Sequence, residues 1–187
     1  MKDFAALTPM RKEAIRKAVW KRRGSNTSVY FDVLNHLENE DFVILKSMPL
    51  SALTYLSDKI IFIKERVYNE AAGGRSQARL VIAHELGHFD LHSGQRRVIE
   101  LAAYEGIMEI EASFYAYELL APIELVAKKV KTPSILNSLR VTSEFGVTRE
   151  VMDYQYHTAV KEIATHGKSY HINNLQKRLQ SIHLDRR

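Results

Sequence analysis

Leu80-Val81-Ile82-Ala83-His84-Glu85-Leu86-Gly87-His88-Phe89-Asp90-Leu91-His92 says more about this chain than any other segment. Its apolar residues predict a helix largely buried in the domain, with Leu80, Val81 and Ala83 marking the inner side. On that helix His84 and His88 stand four residues apart, so both imidazoles leave one face with Cβ atoms roughly 5–6 Å apart. Two such imidazoles converge on one ion, and zinc, with Zn–N distances of about 2.0–2.1 Å, is the expected occupant. Glu85 sits beside the first ligand on the neighbouring line of the helix, where its carboxylate reaches a metal-held water without being a ligand. That is the zinc-peptidase arrangement, His-Glu-x-x-His, with the glutamate as catalytic general base. Two histidines and a carboxylate in a buried helix need partners, and a metal supplies them.

A catalytic zinc takes three protein ligands and leaves one position for water, so a third ligand must lie downstream. The acidic, alanine-containing stretch from Tyr104 to Leu120 reads as a helix that ends before Pro122. Counted in steps of three and four, Glu109 shares a face with Ala112, Ser113 and Ala116, small side chains that allow close packing on the metal helix. Glu111 shares its face with Phe114, Tyr115 and Glu118. Helical phase therefore selects Glu109 as the third ligand, with Glu111 and Glu105 as fallbacks. Glu111 and Glu118 are expected on a solvated face.

The chain has 187 residues, 45% hydrophobic and 26% charged, which suits a globular domain with a substantial core. It has no cysteine, which excludes disulfides and thiolate metal sites. The opening residues lack the apolar core of a signal peptide, and no run approaches the roughly 18 apolar residues of a membrane span. The cytoplasm is the expected location, with no membrane partner. The net charge of +5 is unevenly placed: Met1 to Tyr30 carry eight Lys/Arg against two acids, Thr158 to Arg187 six against two, and the middle is acidic. Arg11, Lys12, Arg16, Lys17, Lys21, Arg22 and Arg23 fall on a short amphipathic helix with Ile15, Ala18 and Val19. Such a run reads first as a solvated face, with weak DNA contact as its alternative.

Thr8-Pro9 opens that first helix, which stops at Gly24, and Ser28 is expected to cap a second helix through Leu37. Phe42 to Leu45 and Lys59 to Lys64 read as strands, forming a sheet beside the metal helix. Gly73-Gly74 marks a turn before that helix, Ser93-Gly94 its end, and Gln95 to Glu100 a mobile connector over the site. From Ser134 to Tyr154 the pattern resembles a helix-turn-helix, with Leu139, Val141, Thr142, Phe145, Val147, Val151 and Met152 inward, Gly146 at the turn and Thr148 as N-cap. Arg149 and Gln155 are its only evident base-reading side chains, so a packing helix pair that supports the metalloprotease body is preferred to a DNA-reading module. Leu175, Leu179 and Ile182 suggest one last amphipathic helix. The expected fold is α+β: a mainly helical metallopeptidase core with a small sheet over residues 1–130, a helix-turn-helix-like module over 131–160 and a basic tail over 161–187.

These residues together resemble the ImmA/IrrE family of metallopeptidases. The matching pieces are His84 to His88 with Leu91-His92, Glu109 to Ala116, Glu118-Leu119-Leu120-Ala121-Pro122, the strand before the metal helix and Phe145-Gly146-Val147-Thr148. The resemblance implies zinc held by His84, His88 and Glu109, with Glu85 as base. Ser113 stands where that family has Asn or Asp, and would orient a ligand by a hydrogen bond. The resemblance also implies a regulatory protease acting on a protein substrate, a helix-turn-helix repressor of phage, mobile-element or stress-response type. His92, Tyr115 and Tyr117 are candidates for oxyanion stabilisation, and His92 is equally a candidate for a residue that supports a metal ligand. The alternatives are a zinc-bound sensor or antirepressor that works by contact without proteolysis, and a DNA-binding transcriptional regulator.

Overall fold

Three strands and nine helices form among residues 4–93, 102–130 and 134–184, the residues that the computed structural model describes. The architecture is α+β, mainly helical with one small sheet. The chain gathers into two units: Lys2–Ile15 with Asp32–Ala116, and Arg16–Phe31 with Tyr117–Arg187. The expected connector Gln95 to Glu100 lies outside the described residues.

The first unit holds the sheet, in strand order β1 (Phe42–Leu45), β3 (Ile60–Lys64), β2 (Ala52–Tyr55). β1 runs parallel to β3, with Phe42 opposite Ile61, and β2 runs antiparallel to it, with Ala52 opposite Ile63. Alternation puts Ile61 and Ile63 of β3 and Ala52 and Thr54 of β2 inside. The sequence reading has no counterpart of β2, because Ala52-Leu53-Thr54-Tyr55 is short and carries only one β-branched residue. The polypeptide returns from β2 to β3 through a turn in which Lys59 adopts a left-handed φ of 56°.

Helices α1 (Pro9–Arg23) and α2 (Val33–Leu37) precede the sheet. Thr8 Oγ1 accepts from the Arg11 amide at 3.2 Å, as an N-cap does, and Gly24 closes α1 with a φ of 58°. α2 begins later than expected: Asp32, not Ser28, is its cap, accepting from the amides of Leu34 and Asn35 at 3.1 and 3.3 Å. A carboxylate one residue before the helix satisfies two amides at once, whereas the Ser28 carbonyl is taken by Arg23.

α3 (Glu65–Ala72) follows β3 directly, and α4 (Ser76–His92) carries the histidines. α4 packs against α2, α3, β2 and β3. Its buried face is Ala78, Arg79, Ile82, Ala83, Glu85, Leu86, Gly87 and His92. Leu80 and Val81, expected inside, are half-buried, because the inner line follows the i, i+3, i+4 steps from Ala78 and Arg79. α5 (Ala102–Leu120) meets α4 at Gly87. A Cβ there would lie 2.9 Å from the Ala112 carbonyl and 3.1 Å from the Tyr115 ring, so the missing side chain sets the approach of the two helices.

In the second unit α6 (Ile123–Lys129) packs on α8 (Arg149–His166) and α9 (Lys168–Leu184), and α7 (Ile135–Phe145) packs on α8. Ser134 caps α7, Gly146 turns the chain with a φ of 59°, and Thr148 caps α8. Val141, Phe145, Val147, Val151 and Met152 are buried, but Leu139 is exposed. Gln155 is buried completely, so it presents nothing to a base edge, and Arg149 pairs with Asp153 one turn on. The expected basic tail is largely α9, tied down by Leu175 in the core and by an ion pair from Arg178 to Glu124 at 2.7 Å.

Candidate metal centre

His84 and His88 emerge from one face of α4 with their Nε2 atoms 3.1 Å apart. Glu109 on α5 closes the group: its Oε2 lies 3.1 Å from His84 Nε2 and its Oε1 3.1 Å from His88 Nε2. One ligand atom from each residue can be chosen so that all three lie within 4.8 Å of one another. Three unprotonated acceptors at this spacing repel one another unless a cation sits among them. Bonds of about 2.0–2.1 Å around a tetrahedral ion place neighbouring ligands about 3.3 Å apart, so the donor set fits zinc in both type and separation. The two imidazoles are 19% and 12% exposed and the Glu109 side chain 62%, which leaves the group open on the glutamate side.

Glu85 is buried one residue along α4. Thr54 Oγ1 donates to its carboxylate at 2.7 Å, with the Glu85 carbonyl 3.1 Å away. The edge strand β2 thus supports the expected general base through one hydroxyl, a contact invisible in a sequence reading that lacks β2.

Ser113, on the face of α5 that carries Glu109, places its Oγ 3.3 Å from His84 Nδ1 and donates to the Glu109 carbonyl at 2.7 Å. It thereby holds the His84 ring. His92 joins the group from the other side: its Nδ1 is 3.2 Å from His88 Nδ1, and its Nε2 is 2.9 Å from Glu111 Oε2.

The expected solvated face of Glu111 and Glu118 is corrected here, for both are buried. Arg11 of α1 embraces Glu111 with Nε and Nη2, each at 2.5 Å. Burial pushes the Glu111 carboxyl up, but bonds from His92 and Arg11 and the charge of Arg11 outweigh it and hold the group at about 2. Glu118 accepts from Arg16 Nε at 2.9 Å and from the Ile123 amide at 3.3 Å. Periodicity missed both because the arginines that neutralise them lie about a hundred residues upstream.

The remaining candidates are engaged elsewhere. Tyr115 is buried and its hydroxyl donates to Asp90, clamping α5 onto α4. Tyr117 is buried edge-on against Tyr154 with ring centroids 5.8 Å apart, and burial first, then the neighbouring Glu150 carboxylate, pushes its hydroxyl pKa up. The side chain of Glu105 lies outside the described residues.

Histidines at i and i+4 on one helix, met by a glutamate from the next and followed in sequence by a supported carboxylate, are what a metallopeptidase is built around. Residues 42–157 match the family described as the IrrE N-terminal-like domain, Peptidase_M78, and the chain belongs to that family. It is accordingly a metallopeptidase of the ImmA/IrrE type. No curated protein and no solved structure matches it significantly. The matched segment runs from β1 into α8, so it takes in the sheet, α4, α5 and the α7–α8 pair. No helix among the described residues is long and apolar enough to cross a membrane.

Proposed function

We propose that the protein is a zinc-dependent endopeptidase of the cytoplasm that cuts a regulatory protein, with His84, His88 and Glu109 as metal ligands and Glu85 as the catalytic base. The convergence of the two Nε2 atoms and the Glu109 carboxylate carries this reading. Zinc, when bound, supplies a Lewis acid that brings a water's pKa towards about 7 and polarises a carbonyl. The rest falls to the chain's own groups. Glu85 takes the attacking water's proton on its carboxylate and returns it to the departing amine. Thr54, by donating to that carboxylate, fixes its orientation. Ser113 holds the His84 ring. β2 is an edge of the sheet and packs against α4, so an extended substrate segment can add to it by main-chain hydrogen bonds.

The family resemblance supports a helix-turn-helix repressor as substrate, of phage, mobile-element or stress-response type. In this reading residues 1–130 carry the peptidase, 131–160 form a helix-turn-helix-like module and 161–187 a basic end. The test is cleavage of a co-encoded repressor by the metal-loaded protein and by Glu85→Gln. Cleavage by the wild type alone is expected. Equal cleavage by both sinks the assignment of Glu85, and inactivation of the repressor without any cleavage favours an antirepressor that works by contact.

A further inference from the structure

We propose that His92, Glu111 and Arg11 are positioning residues of the metal centre, a single hydrogen-bonded chain that holds the His88 ring with its Nε2 lone pair turned towards the ion. The inference rests on the reading of His84, His88 and Glu109 as ligands. It concerns residues that the His-Glu-x-x-His pattern does not contain, one of them ahead of the matched segment.

The direction of every bond in the chain follows from its far end. A guanidinium only donates, so the two contacts of Arg11 make both Glu111 oxygens acceptors. Glu111 Oε2 also accepts from His92 Nε2 at 2.9 Å, which places the His92 proton on Nε2. A neutral imidazole with that proton has an acceptor at Nδ1, and this atom faces His88 Nδ1 at 3.2 Å. The proton between the two rings therefore belongs to His88 Nδ1. His88 Nε2 is left with its lone pair, and this is the atom 3.1 Å from both His84 Nε2 and Glu109 Oε1. Each assignment compels the next, from a fixed positive charge to the metal-facing nitrogen.

Burial makes the chain effective. His92 is 1% exposed and the Glu111 side chain 8%, so water does not compete for these bonds, while Arg11, 41% exposed, keeps one side in solvent. The two ligand rings are thus secured differently. His84 leans on a neutral hydroxyl of α5, and His88 on an ion-paired carboxylate anchored in α1.

The experiment measures zinc affinity by chelator competition and the visible spectrum of the cobalt-substituted full-length protein. Outer partners of a metal-bound histidine typically contribute about 10–100-fold in affinity, and a loss in that range with a shifted cobalt band is expected for His92→Phe and Glu111→Gln. His92→Gln is expected to stay within a few-fold of wild type, because its carbonyl can accept from His88 and its amide can donate to Glu111. Arg11→Met, at a half-exposed position that tolerates substitution, is expected to give a smaller loss in the same direction and decides the matter if the buried variants do not fold. Wild-type affinity and spectrum in the folded variants, or a His92→Gln no better than His92→Phe, overturn the proposal. His84→Ala serves as the separate control: if it binds zinc as tightly as wild type, the ligand assignment itself is wrong.

Discussion

Two groups of carboxylates in this molecule differ in where their positive partner comes from. In the unit that holds α6 to α9, the chain supplies its own cations: Arg16 meets Glu118 at 2.9 Å and Glu162 at 3.9 Å, and Arg178 meets Glu124 at 2.7 Å. Around α4 and α5, Glu109 faces two imidazole nitrogens at 3.1 Å, and among the described residues it has no ion pair with Lys or Arg. The first group is closed and serves stability. The second brings acceptors together at a separation that, in the proposed reading, suits a metal ion.

The sharpest break in that comparison lies in chemistry. Glu85→Gln should lower peptide cleavage by about 10²–10⁴-fold, the usual contribution of a general base, with zinc stoichiometry unchanged by elemental analysis. His88→Ala should lose more than the roughly 100-fold of affinity that an outer partner costs, with little change in the secondary structure seen by circular dichroism.

The other region should respond in the opposite currency. Arg16→Met leaves Glu118 buried and unpaired, and urea unfolding should show a loss of about 3–5 kcal/mol, while zinc affinity measured in the folded protein stays put. A parallel loss of zinc affinity in that variant would erase the distinction drawn above.

A pH series on the metal-free protein sharpens it further. Glu111 titrates at about 2 in the folded protein against an ordinary value of 4.5. Its folded pKa is depressed, so its contribution is fully present above about pH 4.5 and is lost as pH falls through about 2, a change on the order of 3 kcal/mol. Glu111→Gln should flatten denaturant midpoints over that window. The smallest effect is expected from Gly87→Ala, whose methyl would press on the Ala112 carbonyl. A cost of about 1–3 kcal/mol from overpacking should accompany weaker zinc binding, since α5 carries Glu109.

Much of the site is legible before folding because it is local. Residues four apart on a helix share a face whatever surrounds them, so the placement of His84 and His88 needs only the backbone repeat. The same repeat separates Glu109 from Glu111 and marks Ala112 as a small residue of the contact. Capping chemistry is local too, which is why Thr8, Gly24, Gly146 and Thr148 bound the helices they suggest. Where two polar residues compete, as Ser28 and Asp32 do, propensity alone does not choose.

What the chain alone determined is therefore the pair of imidazoles on one face, the glutamate beside them and the phase of the acidic helix, all consequences of 3.6 residues per turn. Tertiary structure decided the rest: that Thr54 reaches Glu85, that Glu111 meets His92, and that Glu111 is not solvated but held by Arg11. Those contacts join residues separated by 31 positions in one case and by 100 in another. No local periodicity encodes them, because they exist only once burial makes a polar group's choice of partner costly.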